Sequence, residues 1–242
     1  MQRNFPQYFL SLLLLFSGSQ VALIAQIQHA YYGEVQLRNY GYDFGFYRKT
    51  SAFSQPLEKE MGFQVGSLVH PKEVFVINTG LPGSRVFKID KINYAWVFRP
   101  KLTYSYPLAK RSSRFEMGFR VFGGIQLPIV YAWPVYVWLY QGNVPFDGYS
   151  DVRYDPSIHE PQLVGGNASF SHGIKHGQII PGIGAHAGFS LEWGNYRNLS
   201  NELSLGVNSE YFVKEIPIMY SNNVNLQFYP AVFIKFAVGY IP

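Results

Sequence analysis

The chain has 242 residues, the size of one domain, with only 14% charged residues against 18% aromatics and 23 glycines. An average soluble domain is about 25% charged, and the absence of cysteine excludes disulfides, thiolate metal sites, cysteine nucleophiles and lipidation at a cysteine. The net charge of +5 is spread thinly, with only Arg48-Lys49 and Lys110-Arg111 adjacent, so nucleic acid, which needs a concentrated basic patch, is not an expected partner.

In chain order, residues 1–25 read as a signal peptide. Arg3 supplies a thin positive start, Phe9 to Phe16 an apolar stretch, and Ser17 to Ala25 a small-residue approach to cleavage after Ala25. Leu23 fits the small-residue rule poorly. Ser11, Ser17, Gly18, Ser19 and Gln20 interrupt a run that would need roughly 20 apolar residues to span as a helix. Residues 26–242 then form the single remaining domain.

From there the pattern is alternation, the mark of strands with two different faces. A first strand is expected over about 30–38 and a second over 40–48, where Tyr42, Phe44 and Phe46 oppose Asp43, Gly45 and Tyr47. Residues 31–48 also read as one long strand kinked at Asn39-Tyr40-Gly41. A third strand covers 58–72, with Met61, Phe63, Val65 and Val69 against Glu58, Glu60, Gln64 and His70. A fourth covers 94–106, with Trp96, Phe98, Leu102, Tyr104 and Tyr106 against Arg99, Lys101, Thr103 and Ser105.

The fifth, 114–132, sets Phe115, Met117, Phe119, Val121 and Ile125 against Arg114, Glu116, Gly118, Arg120 and Gly124. A loop of roughly forty residues, 136–177, precedes the clearest strand, 178–193. There Ile183, Ala185, Ala187, Phe189, Leu191 and Trp193 oppose Gly184, His186, Gly188, Ser190 and Glu192. Strands over 200–213 and 223–240 complete the series.

Several runs reach or exceed the roughly 9–11 residues that cross a bilayer as a tilted strand, well past the soluble mode of about 5–6. Large aromatics sit near run ends, as interfacial girdles require. A backbone in hydrocarbon must satisfy every N–H and C=O internally, so such a sheet closes. The expected fold is therefore all-β: a closed antiparallel transmembrane β-barrel of eight strands in an outer membrane, with lipids around it.

The chain resembles the small outer-membrane β-barrel families, the OmpA-like transmembrane barrels, and in particular the Bacteroidetes-type outer-membrane barrels. The resemblance rests on the aromatic-glycine strands, the cleavage region ending Ala25-Gln26 and the final strand Phe233 to Tyr240. It implies that this last strand is read by the barrel-assembly machinery. The ending Tyr240-Ile241-Pro242 departs from a terminal aromatic. His70-Pro71-Lys72-Glu73 also looks like a family signature, with no activity attached.

Inward parity gathers Glu34, Arg38, Asp43, Glu58, Glu60, Arg99, Lys101, Arg114, Glu116, Arg120, His186, Glu192, Glu202, Glu210 and Lys235. Eight strands leave an interior barely wide enough for side chains, and buried charges must be paired. An interlocked ion network is the expectation; a proton or ion path would need a continuous wet lumen.

A metal site from His70, His172 and His176, with Glu73, is a weaker reading, because Gly173 and Gly177 argue against a helix aiming two histidines together. The acidic series Asp147, Asp151, Asp155 and Glu160 lacks calcium-loop spacing. A barrel hydrolase would need a serine and a histidine together on the lipid side, and outward Ser67 and Ser209 have no such partner. No cofactor and no enzymatic activity are expected.

The long loop carries Tyr136, Trp138, Tyr140, Phe146, Tyr149 and Tyr154, with Trp133 just before it. Exposed aromatic loops of this length usually touch something. Another envelope protein or a surface glycan fits; alternatively the rings continue the strands above the bilayer and pack on each other. The expected function is that of a structural or accessory envelope barrel, with a narrow channel for small solutes or ions as the alternative and a hydrolase third.

Overall fold

The computed structural model describes residues 27–52, 56–109, 116–141, 148–194, 198–220 and 225–242. The expected signal peptide, Arg114, Phe146 and Asp147 lie outside them. Fourteen strands run β1 (Ile27–Arg38), β2 (Gly41–Ala52), β3 (Glu58–Ser67), β4 (Val74–Val76), β5 (Phe87–Ile89), β6 (Asn93–Ala109), β7 (Gly118–Gln126) and β8 (Ile129–Pro134). They continue with β9 (Tyr136–Tyr140), β10 (Tyr149–Arg153), β11 (Val164–Asn167), β12 (Gln178–Trp193), β13 (Leu199–Phe212) and β14 (Phe228–Tyr240).

β7 and β8 are two halves of one wall strand, both pairing with β6 on one side and β12 on the other. Pro128 lacks an N–H and breaks the ladder between them. The amides of Leu127 and Gly182 carry it across by donating to the carbonyls of Pro100 (3.0 Å) and Pro128 (2.8 Å). Counted so, eight antiparallel strands follow the order β1-β2-β3-β6-β7/β8-β12-β13-β14, and β14 pairs back onto β1. The cylinder closes and has no continuous edge.

Period-two side chains on a closed sheet must divide into a lumen and an exterior. In β14 the division is strict: Tyr229, Ala231, Phe233, Lys235 and Ala237 are buried, while Phe228, Val232, Ile234, Phe236, Val238 and Tyr240 are exposed. The exterior is apolar all round, through Val35, Phe44, Phe63, Phe98, Ile125, Phe189 and Leu205. Tyr31, Tyr104, Tyr106 and Tyr240 collect at the end bearing the short turns; Tyr42, Trp96, Tyr211 and Phe228 collect at the loop end. Such a surface is far larger than the apolar patches of soluble monomers.

Several element boundaries differ from the sequence expectation, but the first hairpin does not: Arg38 pairs with Gly41 around Asn39-Tyr40, so residues 31–48 are two strands and not the alternative kinked one. Gly41 has φ +135° and lies against the Ser67 carbonyl, a conformation and closeness that exclude a side chain. β3 stops at Ser67, so His70 belongs to a turn. β14 starts at Phe228, because 225–227 turns into the barrel mouth. The loops 74–93 and 136–177 are not irregular: they hold the hairpin β4–β5 and the sheet β10-β9-β11.

Candidate functional site: a filled lumen beneath a folded cap

The lumen is layered along its axis. Nearest the loop end lies an apolar layer of Leu68, Val97, Val130, Ile180 and Phe212 from the wall, with Ile216, Ile218 and Met219 from the segment between β13 and β14. Ile216 and Ile218 are wholly buried. Burying each contributes roughly 1.5–3 kcal/mol, enough to hold a short segment down against its lost freedom. Asn225 fastens the segment: its Oδ1 accepts from the amides of Ile218 (3.0 Å) and Met219 (2.9 Å), and its Nδ2 donates to the Met219 carbonyl (2.9 Å).

Below the apolar layer two arginines meet two carboxylates. Arg99 bridges Asp43 (2.9 Å) and Glu210 (2.5 Å), and Arg38 bridges Asp43 (2.7 Å) and Glu210 (3.5 Å). Gln126 adds a donated bond to Glu210 at 2.7 Å. Strand alternation delivers all five side chains inward from five different wall strands.

Toward the turn end a longer chain of ions follows. Glu34 pairs with Lys101 and Lys235, Lys235 reaches Glu202 (3.0 Å), and Glu202 reaches Lys49 (2.8 Å). Lys49 also faces Glu60 (3.4 Å) and Glu192 (3.8 Å), and Arg120 joins Glu192 to Glu58 (3.1 Å). Tyr47 stacks on Tyr32 at 4.8 Å, with Lys101 and Lys235 over its ring at 5.1 and 4.9 Å. Six cations thus face seven carboxylates, and no side chain in this set lacks an opposite charge.

His186 points into the lumen, where its Nε2 lies 2.8 Å from the Thr103 hydroxyl. The space beside it, bounded by Lys101, Phe122, Asn208 and Lys235, leaves ≈ 20 Å³ for water centres, room for little more than one water. Among the described residues, Nδ1 of His186 and Oδ1 of its cross-strand partner Asn208 have no hydrogen-bond partner, a polar pair that suits one bridging water.

Of the inward residues expected from sequence, Glu116 is the exception: it is exposed in the turn before β7. Arg114 lies outside the described residues. Lys49, buried and central to the network, is the one the sequence reading missed. It shares the parity of Asp43 and Tyr47, and extending the second strand past residue 48 finds it.

Above the barrel, β4–β5 and β10-β9-β11 pack around Phe87, Val135, Val137, Tyr154 and Val164. The Arg85 amide donates to the Gly165 carbonyl (2.7 Å), and that of Tyr220 to the Asp90 carbonyl (2.8 Å), so three loops form one cap. At its base Glu73 takes both Lys88 and Lys91. Burial works to raise the Glu73 carboxyl, but Lys91 and the lysine hydrogen bonds hold it below its ordinary range. Burial pushes Lys91 down to about 8 against the pull of Glu73.

This arrangement does not bring the candidate metal ligands together. The His70 amide donates to Glu73 (3.1 Å) and its Nδ1 accepts from the Lys72 amide (3.2 Å), while His172 pairs with Asp151 (3.1 Å). His176 is exposed in the turn Ile174–His176, and among the described residues no group of three could hold a metal. Asp155 accepts from its own turn at Ser157.

The loop aromatics also divide. Trp133 and Tyr154 are buried, Trp133 between Tyr94 and Phe170. Neither is available for binding. Tyr136, Trp138, Tyr140 and Tyr149 are half-buried on the outer face of the β10-β9-β11 sheet.

No protein-family model matches the chain, and no curated protein is significantly similar to it. Solved structures align with the chain. A major outer membrane protein from Thermus thermophilus aligns over 89% of this chain and 99% of its own, with 11% identity and a TM-score of 0.53. The N-terminal β-barrel domain of Pseudomonas aeruginosa OprF covers 89% and 97% (10% identity, TM-score 0.38), and Neisserial surface protein A 88% and 94% (10%, 0.36). The chain has the fold of an eight-stranded outer-membrane barrel.

Proposed function

We propose that the chain is an integral outer-membrane protein with a closed lumen that acts at its outer surface, as a structural or accessory component of the envelope and not as an enzyme. The observation that carries this reading is the double closure: an apolar seal from the β13–β14 segment over a lumen filled by paired ions. Among the described residues, both fill the lumen with side chains. The apolar exterior calls for lipid, and the folded cap offers a rigid surface to another envelope protein or a surface glycan. Export by residues 1–25 and assembly through β14 belong to the same proposal.

The test is in two parts. Cell fractionation is expected to place the protein with the outer membrane, migrating faster on gels before boiling than after. In planar bilayers the refolded protein is expected to give no conductance steps. Steps of uniform size would establish the narrow channel instead, whose opening would have to pass Glu58 and Arg120, the most exposed pair of the ion chain.

A further inference from the structure

The three-stranded sheet of the cap has two chemically opposite faces. Val137, Leu139 and Val152 turn toward the cap core, where Val164 is wholly buried. The other face is built of three directly opposed pairs: Tyr136 with Arg153, Trp138 with Asp151, and Tyr140 with Tyr149. Asp151 and Arg153 are exposed. We propose that this face is a binding platform for carbohydrate.

The chemistry selects the ligand class. A protein-docking patch is depleted of carboxylates at its centre, whereas here the Asp151 carboxylate stands directly opposite Trp138. Asp151 and Arg153 lie opposite Trp138 and Tyr136, and Arg85 stacks on Trp138 at 4.7 Å. A sugar ring meets both requirements at once. Its C–H bonds carry positive charge to the negative face of an aromatic ring, and its hydroxyls bridge to carboxylate and guanidinium groups at the ring's edge.

The platform is also rigid. The Tyr149 hydroxyl donates to the Pro82 carbonyl at 2.7 Å, and its ring lies where a side chain on Gly165 would stand. A side chain on Gly166 would meet Arg85, so the two glycines clear the strand for both groups. His172 abuts Tyr136 with ring centres 6.0 Å apart while pairing with Asp151. Groups already ordered lose little freedom on binding.

The proposal rests on the reading that the cap faces the outside of the cell, but its test does not. The full chain, refolded in detergent and shown to be folded by heat-modifiable migration, is applied to an array of neutral, amino-sugar and acidic oligosaccharides. At least one group of related glycans is expected to bind with a shift in tryptophan emission. Trp138→Ala is expected to weaken that binding by about tenfold or more. Arg153→Ala and Asp151→Asn, at exposed positions that leave the fold intact, are expected to weaken it several-fold; Phe75→Ala, on the β4–β5 hairpin, is expected to leave it unchanged. No binding to any glycan, or binding unaltered in the Trp138 and Asp151 variants, overturns the platform while leaving the barrel reading standing. Glycan binding by a protein that fractionates away from the membrane would overturn the barrel's placement instead.

Discussion

Arg99 holds Glu210 with two nitrogens, Nε at 2.5 Å and Nη2 at 3.1 Å, spanning the lumen between β6 and β13 with both residues fully buried. Nη1 of the same arginine donates to Asp43 at 2.9 Å. A guanidinium serves here because its planar fork satisfies two carboxylates in fixed directions, which an ammonium does not.

Arg99→Met should therefore cost about 3–5 kcal/mol, because two buried carboxylates are left facing the single charge of Arg38. The double variant Arg99→Met/Glu210→Met should cost less than the sum of the singles, since Asp43 keeps Arg38. Urea midpoints of the refolded protein in vesicles measure the difference. Additive losses would show that the pair is not coupled.

The Asn225 side chain satisfies three main-chain groups of the inserted segment, and Asn225→Leu removes all three bonds. Each buried group left without a partner costs about 1–3 kcal/mol, so the segment should leave the mouth before the barrel unfolds. Trypsin should then cut after exposed Lys214 much faster than in the unaltered protein, with the barrel still migrating as folded. Unchanged cleavage would show that Ile216 and Ile218 alone hold the seal.

Lys91 gives the cap a pH dependence of definite sign. Its folded value of about 8 lies below the ordinary 10.5, so between these the unfolded chain holds a proton that the folded cap does not. The lysine's contribution to stability should rise with pH across that window, fall away as pH drops toward about 8, and stay flat below. The difference in urea midpoint between the unaltered protein and Lys91→Met, measured at steps of pH, should follow that curve. A difference independent of pH would contradict the burial of the ammonium.

Leu205, exposed midway along β13, should face the centre of the lipid. Leu205→Arg is expected to destabilise the barrel in vesicles by about 2–4 kcal/mol, against about 0–1 for an arginine near the interface. Leu199→Arg, at the turn end of the same strand, supplies that comparison. Equal effects would place neither residue in hydrocarbon.

Alternation by itself determined the barrel. Each strand announces two faces through a period of two, and closure follows because a strand in lipid tolerates no unpaired edge. The same parity marked most of the inward charges. It could not tell which carboxylate meets which cation, since Arg99 and Glu210 are 111 positions apart in the chain and meet only across a closed lumen. Nor could it foresee the seal or the cap. Ile216 and Ile218 lie in a segment too short to carry a period, and the alternation of Tyr136, Trp138 and Tyr140 with Val137 and Leu139 marks a two-faced strand without saying what its apolar face packs on. That choice belongs to the tertiary structure, where the mouth of the barrel presents apolar walls that Ile216, Ile218 and Met219 cover.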